Sequence, residues 1–223
     1  MRAYNSYLSL AGEVAARGLD ASISVKSSTL GGTVNRDLTL RLGRNICEKA
    51  RDLKVGFELD IEGQRMINTT LELAEGCARS GLPVTVALQA YLNRTPQDIE
   101  RMVDAGVRIR LVKGAYTGDI SDFDTISEVY RDLVEDIISY DVPFCVATHD
   151  PDILRWVTNR CRDKELIEFG FLKGLADQTK MALVSEGWEV TEYVPFGTEK
   201  EGYESRRRTY MKKLEELGRS PAP

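Results

Sequence analysis

The sequence contains few of the residues on which metal sites and disulfide frameworks depend. Its 223 residues include one histidine and four cysteines. The cysteines are widely spaced and form no Cys-x-x-Cys pair, so neither a zinc site nor a disulfide framework is indicated. We interpret all four as small buried apolar residues of a protein in the reducing cytoplasm. No metal ion is therefore expected.

Long apolar runs and basic stripes are also absent. The longest apolar runs, such as Pro83–Leu88, are far shorter than the roughly 20 residues that span a bilayer. The N-terminus lacks the charged and then apolar pattern of a signal peptide. Lys and Arg number 30 against 35 Asp and Glu, a net charge of −5, and they are scattered among the acidic residues. We therefore expect no transmembrane segment and no nucleic acid as a partner.

The distribution of apolar residues predicts alternating strands and helices. Short β-branched or apolar runs are separated by longer segments in which apolar residues recur every three or four positions. The chain begins with a helix that stops near Gly18. Seven strands are predicted, over Ile23–Lys26, Gly56–Asp60, Pro83–Ala90, Arg108–Gly114, Pro143–Asp150, Ile167–Leu172 and Val190–Pro195. Further helices are predicted over residues 36–53, 63–80, 96–105, 124–139, 151–162, 175–187 and 199–217.

Repeated β-α units predict parallel strands, which form either a doubly wound open sheet or a (β/α)8 barrel. Polar residues stand at or just past the carboxyl ends of six strands: Lys26, Asp60, Gln89, Lys113, His149 and Tyr193. In a barrel these ends converge on one mouth, and no Gly-x-Gly-x-x-Gly motif supports the open sheet. We therefore predict an α/β fold, a TIM-type barrel, as one domain over residues 1–217 with a disordered tail over 218–223.

Two segments carry most of the candidate chemistry. In Arg108–Tyr116, alternation along the strand places Arg110 on one face and Lys113 on the other, and either face can line the interior of a barrel. In Tyr203–Arg208, three consecutive arginines would usually form a solvated helix face. If that helix crosses the mouth of the barrel, adjacent guanidinium groups can hold a carboxylate through charge-assisted hydrogen bonds.

Seven short motifs follow one another through the chain. They are Ser24-Val-Lys26, Asp60-Ile-Glu62, Gln89-Ala-Tyr91-Leu92, Arg110-Leu-Val-Lys-Gly-Ala-Tyr116, Ala147-Thr-His-Asp150, Phe169–Leu172, and Tyr193-Val-Pro-Phe-Gly197 with Arg206-Arg207. Their residue types and their order resemble the motifs of the proline dehydrogenase family, whose members are FAD-dependent (β/α)8-barrel enzymes. Each motif alone is a weak signal, but seven in this order are specific. The resemblance extends over about residues 4–215.

The resemblance implies a reaction and a substrate site. The reaction would be oxidation of L-proline to Δ1-pyrroline-5-carboxylate in proline catabolism, with a hydride passing from C5 of the ring to N5 of FAD. Arg206 and Arg207 would bind the proline carboxylate. Lys26 would add a third positive charge there, and Asp60 would pair with this cationic cluster. The residues that would enclose the ring are Tyr116, Leu172 and Tyr193.

The resemblance also implies a cofactor site and an electron acceptor. The residues that would contact FAD are Gln89, Arg110, Val112, Lys113, Gly114, Ala115, Thr148 and His149. Arg110 would lie near N5, where a cation stabilises negative charge on the flavin. The acceptor would be a membrane quinone or a partner flavoprotein, so the expected location is the cytoplasm or the membrane periphery. Two alternatives stay open: His149 as a satisfied strand-end histidine, and Lys26 as the Schiff-base lysine of an aldolase.

The sequence departs from the family pattern in three ways. Seven strands are predicted where the barrel should have eight, so a second copy or another chain can supply the first strand, the barrel can stay open, or the sequence can be part of a longer one. Asp150 stands where the family often has asparagine, and it would add negative charge near the flavin. Tyr210 replaces a glutamate, which would remove an anchor of the C-terminal helix that is expected across the barrel mouth.

Two alternative functions also remain open. The chain can be an inactive member of the family with a binding or assembly role, although every residue that would contact proline is retained. It can also act on 4-hydroxyproline, although Tyr193 should crowd C4 of the ring. The expected activity is therefore that of an FAD-dependent proline dehydrogenase.

Overall fold

Strands and helices alternate through residues 1–114, 118–197 and 201–219, which the computed structural model describes. The strands are β1 (Ser22–Lys26), β2 (Gly56–Asp60), β3 (Thr85–Gln89), β4 (Arg108–Val112), β5 (Phe144–Ala147), β6 (Ile167–Leu172) and β7 (Glu189–Tyr193). The helices are α1 (Arg2–Ala16), α2 (Arg36–Asp52), α3 (Ile67–Ala78), α4 (Thr95–Asp104), α5 (Phe123–Ser139), α6 (Pro151–Arg160), α7 (Asp177–Ser185) and α8 (Glu201–Glu216). The strand order in the sheet is the chain order. The predicted α/β fold with seven visible strands is confirmed.

The described residues form two compact units. The first comprises residues 1–110 and 118–119, and the second comprises residues 111–114, 120–197 and 201–219. The pairs β1–β2 and β2–β3 of the first unit and β5–β6 and β6–β7 of the second are parallel. No helix in these ranges has the length and apolar character needed to cross a membrane. The single domain over 1–217 and the tail over 218–223 stay predictions, and residues 220–223 lie outside the described ranges.

In the first unit, alternation along the strands separates an apolar face from a polar one. The register places Ile23 beside Phe57 and Val25 beside Leu59, and all four side chains are buried. Helices α1, α2 and α3 pack next to β1 and β2. Because successive side chains point to opposite faces, Lys26 lies on the other face of β1. The apolar face builds the core and leaves polar residues for the site.

In the second unit, aromatic side chains fill the core. The register of β5 and β6 places Val146 beside Phe169, and both are fully buried. The Phe169 ring meets that of Trp188 edge-on at 5.3 Å. Tyr130 of α5 is also fully buried, and its hydroxyl donates to the carbonyl of Leu111 at 2.8 Å. This hydrogen bond satisfies the one polar atom of a core side chain and fixes α5 against the end of β4.

Several predicted elements are longer than the observed ones, among them strands 108–114 and 143–150 and helix 63–80. β4 ends before Gly114, whose φ of 124° lies outside the extended region. β5 ends before Asp150, because the carboxylate of that residue accepts the N–H of Asp152 at 3.0 Å and begins α6. Residues 64–66 form a 3-10 turn ahead of α3. Caps and turns, which hydropathy does not show, therefore decide these boundaries.

The contact between α2 and α3 predicts opposite effects for two glycine substitutions. Gly43 of α2 is buried against Leu73 of α3, and a Cβ at this position would overlap with the leucine side chain. Gly43→Ala is therefore expected to lower the free energy of unfolding by about 1–3 kcal/mol, as overpacking does.

Gly76→Ala on α3 is the matched control, because a Cβ there meets nothing within 4 Å. A helical glycine replaced by alanine in open space should leave stability unchanged or raise it by up to about 1 kcal/mol. Urea unfolding of both variants measures the difference. Equal stability of the two variants would contradict the close packing at Gly43.

Candidate active site

Asp60, at the carboxyl end of β2, is held between two cationic side chains. Lys26 ends β1 directly beside it, because the parallel register pairs these two residues. The Nζ of Lys26 donates to Oδ2 of Asp60, and Nη2 of Arg110 donates to Oδ1. The side chains of Asp60 and Arg110 are 13% and 12% exposed. Each carboxylate oxygen therefore has a cationic partner, which a charge withdrawn from water requires.

A second carboxylate orients Arg110. The Nε of Arg110 lies 3.3 Å from Oε2 of Glu58, which precedes Asp60 by two residues on β2. Residues two apart on a strand share a face, so both carboxylates reach the same guanidinium group. Glu58 was not among the predicted site residues, although its spacing from Asp60 on the same strand could have identified it.

Gln89, at the carboxyl end of β3, is bound to the backbone around it. Its Nε2 donates to the carbonyl of Ile61 at 3.0 Å, and its backbone carbonyl accepts from the hydroxyl of Thr95 at 2.6 Å. The residue is 4% exposed. The side chain thus links the end of β3 to the segment after β2, and a contact with a flavin stays a prediction.

Lys113 comes directly after β4, continues its buried face and contacts α5. Its Nζ donates to Ser127 Oγ and to Asp150 Oδ2, each at 2.7 Å, and lies 3.9 Å from the centroid of the Phe123 ring. Burial lowers the pKa of Lys113, and the hydrogen bond to Asp150 opposes that shift. Strand alternation alone did not show which face of β4 is covered by helices. The structure shows that Lys113 faces residues of α5 and that Arg110 lies on the other face of the strand.

The negative charge of Asp150 is balanced by hydrogen-bond and ion-pair partners inside the protein. It is fully buried, and Oδ2 accepts from Lys113 while Oδ1 accepts the N–H of Asp152. The aspartate was expected to add negative charge near the flavin. The structure corrects this expectation, because the ion pair with Lys113 balances that charge inside the protein.

His149 is a buried, neutral hydrogen-bond acceptor. Its Nε2 accepts the N–H of Leu172 at 3.0 Å, so this nitrogen carries no proton. The rings of Phe171 and Tyr210 meet the imidazole edge-on at 5.7 and 5.9 Å. Burial, with help from the nearby Arg207 charge, lowers the pKa of His149 to about 4. The geometry matches the satisfied strand-end histidine, and a contact with the flavin stays a prediction.

Tyr210 anchors α8, although this tyrosine was expected to remove an anchor of the helix. Its ring lies 6.3 Å from that of Phe123 and 5.9 Å from that of His149. Its hydroxyl is hydrogen-bonded to Thr148, and burial raises the pKa of Tyr210 to about 12. The expectation was wrong because aromatic packing holds the helix in place of a carboxylate.

Helix α8 brings its arginines to the loop after β6. Nη2 of Arg207 donates to the carbonyl of Gly174 at 3.0 Å, and Arg206 precedes it as a half-buried residue. The register pairs Leu172 with Tyr193 at the ends of β6 and β7, and both are half-buried. Within the second unit, α8 therefore lies at the carboxyl end of β6, where an apolar and an aromatic side chain stand together.

The candidate residues fall into two groups, one in each unit. The first unit holds Lys26, Asp60, Gln89 and Arg110. The second holds Val112, Lys113, Gly114, Thr148, His149, Leu172, Tyr193, Arg206 and Arg207. Ala115 and Tyr116 lie outside the described residues. Two adjacent arginines near an apolar and an aromatic side chain suit a small molecule that has a carboxylate and an apolar body.

Sequence comparisons connect the chain with known enzymes. A family model described as Proline dehydrogenase matches residues 2–119. Proline dehydrogenase 2 of Bacillus subtilis is 27% identical over 202 residues, which cover 87% of this chain and 67% of the relative. Proline dehydrogenase of Deinococcus radiodurans is 32% identical over 208 residues, which cover 86% of this chain and 66% of the relative. The chain thus spans about two thirds of the length of these relatives.

A solved structure has the same fold. The crystal structure of proline utilization A (PutA) from Bdellovibrio bacteriovorus inactivated by N-propargylglycine matches with a TM-score of 0.78 at 19% identity. The match covers 93% of this chain and 27% of that chain. The chain therefore spans about a quarter of that protein, and at this identity the likeness concerns the fold alone.

The environment of His149 predicts a loss of stability in acid. The folded state holds the pKa at about 4, against 6.5 for an ordinary histidine. Between these two pH values the unfolded chain binds a proton that the folded chain does not, so the free energy of unfolding falls as the pH falls. The full difference corresponds to about 3 kcal/mol. His149→Gln should lack this contribution.

The chain has a single histidine, so the difference between wild type and variant isolates this residue. Urea unfolding of both proteins at several pH values between 7 and 4.5 measures it. Carboxylates that titrate in the same range affect both proteins and cancel in the difference. Parallel pH profiles for the two proteins would exclude a neutral buried His149.

Proposed function

The chain belongs to the proline dehydrogenase family, and on this premise we propose that it oxidises L-proline to Δ1-pyrroline-5-carboxylate with FAD as its cofactor. The observation that carries the proposal is the cluster around Asp60, which holds Lys26 and Arg110 by one carboxylate. The family resemblance assigns Lys26 to the substrate and Arg110 to the flavin. A charged, mostly buried cluster at a strand end contributes little to the free energy of unfolding. This favours a role in binding and catalysis.

The second unit supplies the main substrate contacts. Arg206 and Arg207 bind the proline carboxylate, and the carbonyl of Gly174 orients Arg207 through Nη2. Leu172 and Tyr193 stand side by side and pack against the apolar ring. A small zwitterion offers one strong polar group and one apolar body, so these two sets of contacts fix its orientation. Tyr116 is proposed for the same role.

The residues at the strand ends suit an FAD isoalloxazine. Arg110 is held from two sides by Glu58 and Asp60, which keeps its positive charge in place before a ligand arrives. Gly114 has a φ of 124° and no Cβ, so a flat ring can approach the backbone there. When bound, FAD supplies the acceptor for the two electrons that proline loses.

Four further flavin contacts are proposed from the resemblance: Gln89, Val112, Ala115 and Thr148. Lys113 and His149 support the cofactor site through the protein contacts of their Nζ and Nε2 atoms. His149 has no role as a general base, because its Nε2 already accepts the N–H of Leu172. The electrons from proline would pass on to a membrane quinone or a partner flavoprotein, at the membrane periphery or in the cytoplasm.

The first test is an absorbance spectrum of the purified protein between about 350 and 500 nm, where oxidised flavin absorbs. The spectrum should show bound flavin, and anaerobic L-proline should bleach it. Anaerobic 4-hydroxyproline serves as the second substrate and should bleach it far more slowly. Protein that stays colourless after incubation with FAD would refute the proposal and favour an inactive binding or assembly subunit.

The role of Arg206 predicts a change in substrate affinity. Arg206→Met removes a charge-assisted hydrogen bond to the carboxylate of about 1.5–3 kcal/mol, which corresponds to a rise in KM for proline of about 10- to 150-fold. The flavin spectrum should be unchanged. Steady-state kinetics with an artificial electron acceptor measures KM and kcat separately.

Arg208→Met is the matched control for this prediction. Arg208 lies two residues after Arg206 on α8 and is exposed. Its one described ion pair is the i,i+4 pair with Glu204 at 3.9 Å. The KM of the Arg208→Met variant for proline should stay within about twofold of the wild-type value. An equal KM for the Arg206 variant and wild type would remove Arg206 from the substrate site.

A further inference from the structure

Helix α8 carries two proposed substrate ligands, yet it is held by few apolar contacts. Among its described residues only Leu214 is buried. Arg207 contacts the loop after β6 through a single described hydrogen bond, to Gly174. Tyr210 packs against α5 and His149 in the middle of the helix. The position of the helix therefore depends on the packing of Tyr210 and Leu214 and on the contacts at its C-terminal end.

That end is formed by a glycine turn that places an arginine next to two other helices. Gly218 has a φ of 66°, and its N–H donates to the carbonyl of Glu215 at 2.9 Å. The N–H of Arg219 donates to the carbonyl of Leu214 at 2.8 Å. These two bonds form the turn that commonly closes a helix. Arg219 thus occupies a defined position directly after α8.

The Arg219 side chain forms ion pairs with three aspartates. Its Nη1 lies 3.0 Å from Asp124 and 3.7 Å from Asp150, and its Nε lies 3.3 Å from Asp152. Asp124 is in the first turn of α5, Asp150 caps α6, and Asp152 is in the first turn of α6. Carboxylates are stabilised at helix N-termini. Three carboxylates gathered there need a cation besides Lys113, and Arg219 supplies it.

We propose that Arg219 is a positioning residue, which fastens the C-terminal end of α8 to the first turns of α5 and α6 and thereby holds Arg206 and Arg207 in place. The second part of this inference rests on the proposed function. Arg219 lies three residues past the end of α8 at Glu216, and the helix rises about 14 Å from Arg207 to that end. Arg219 contacts no substrate in this scheme and acts through the rigid helix.

The test compares four proteins in their flavin-loaded form: wild type, Arg219→Met, Arg219→Lys and the control Arg208→Met. Hydrogen exchange of the amides in residues 201–217 measures how firmly α8 is held. We expect Arg219→Met to increase this exchange by about tenfold. It should raise KM for proline by about tenfold and change kcat by less than about twofold, because the ligands are displaced but intact. Arg219→Lys should restore most of the wild-type exchange rate and KM, and Arg208→Met should change neither quantity.

Asp124→Asn is the second variant if Arg219→Met fails to fold. Asp124 is 61% exposed and provides the shortest of the three ion pairs, so its loss should give the same two effects at smaller size. Unchanged exchange of α8 in these variants would overturn the fastening. Faster exchange with an unchanged KM would overturn the link to the substrate site. If wild type fails to oxidise proline, the proposed function is refuted, while the exchange rates still decide whether Arg219 fastens α8.

Discussion

The ion pair between Lys113 and Asp150 joins four elements of the second unit, β4, β5, α5 and α6. Lys113 follows β4, Asp150 follows β5 and caps α6, and the same lysine donates to Ser127 of α5. Both charged groups are almost completely buried. Removing one partner of such a pair leaves an uncompensated buried charge, which typically costs about 3–5 kcal/mol. The ends of β4 and β5 are thus held in place by electrostatics as well as by apolar packing.

A similar arrangement exists in the first unit, with a different consequence. Asp60 also joins residues of separate strands, but its partners Lys26 and Arg110 lie on the polar face, and the side chain of Lys26 is 30% exposed. One pair is sealed in the protein and the other remains accessible to small molecules. The difference follows from strand alternation, since Lys113 is on the helix-covered face and Arg110 on the opposite one. Burial therefore separates a structural ion pair from a candidate catalytic one.

The order of strands and helices could be read from the sequence because periodicity is a local property. The polar residues at the strand ends could be identified for the same reason, and Lys26, Asp60 and Gln89 were correctly expected at strand ends. The environment of Tyr210 could not be read, because it depends on Phe123 and on the segment after β5. Alternation showed that Lys113 and Arg110 face opposite ways, but only the position of α5 shows which face is buried.

Asp150 links positions that are far apart in the sequence. It balances Lys113, lies 3.7 Å from Arg219, and caps α6 through a carboxylate oxygen. Asparagine could still cap the helix, but it would withdraw the negative charge that both cations face. Positions 113, 150 and 219 are therefore expected to vary together in evolution. A relative with asparagine at the position of Asp150 has less reason to retain an arginine at that of Arg219.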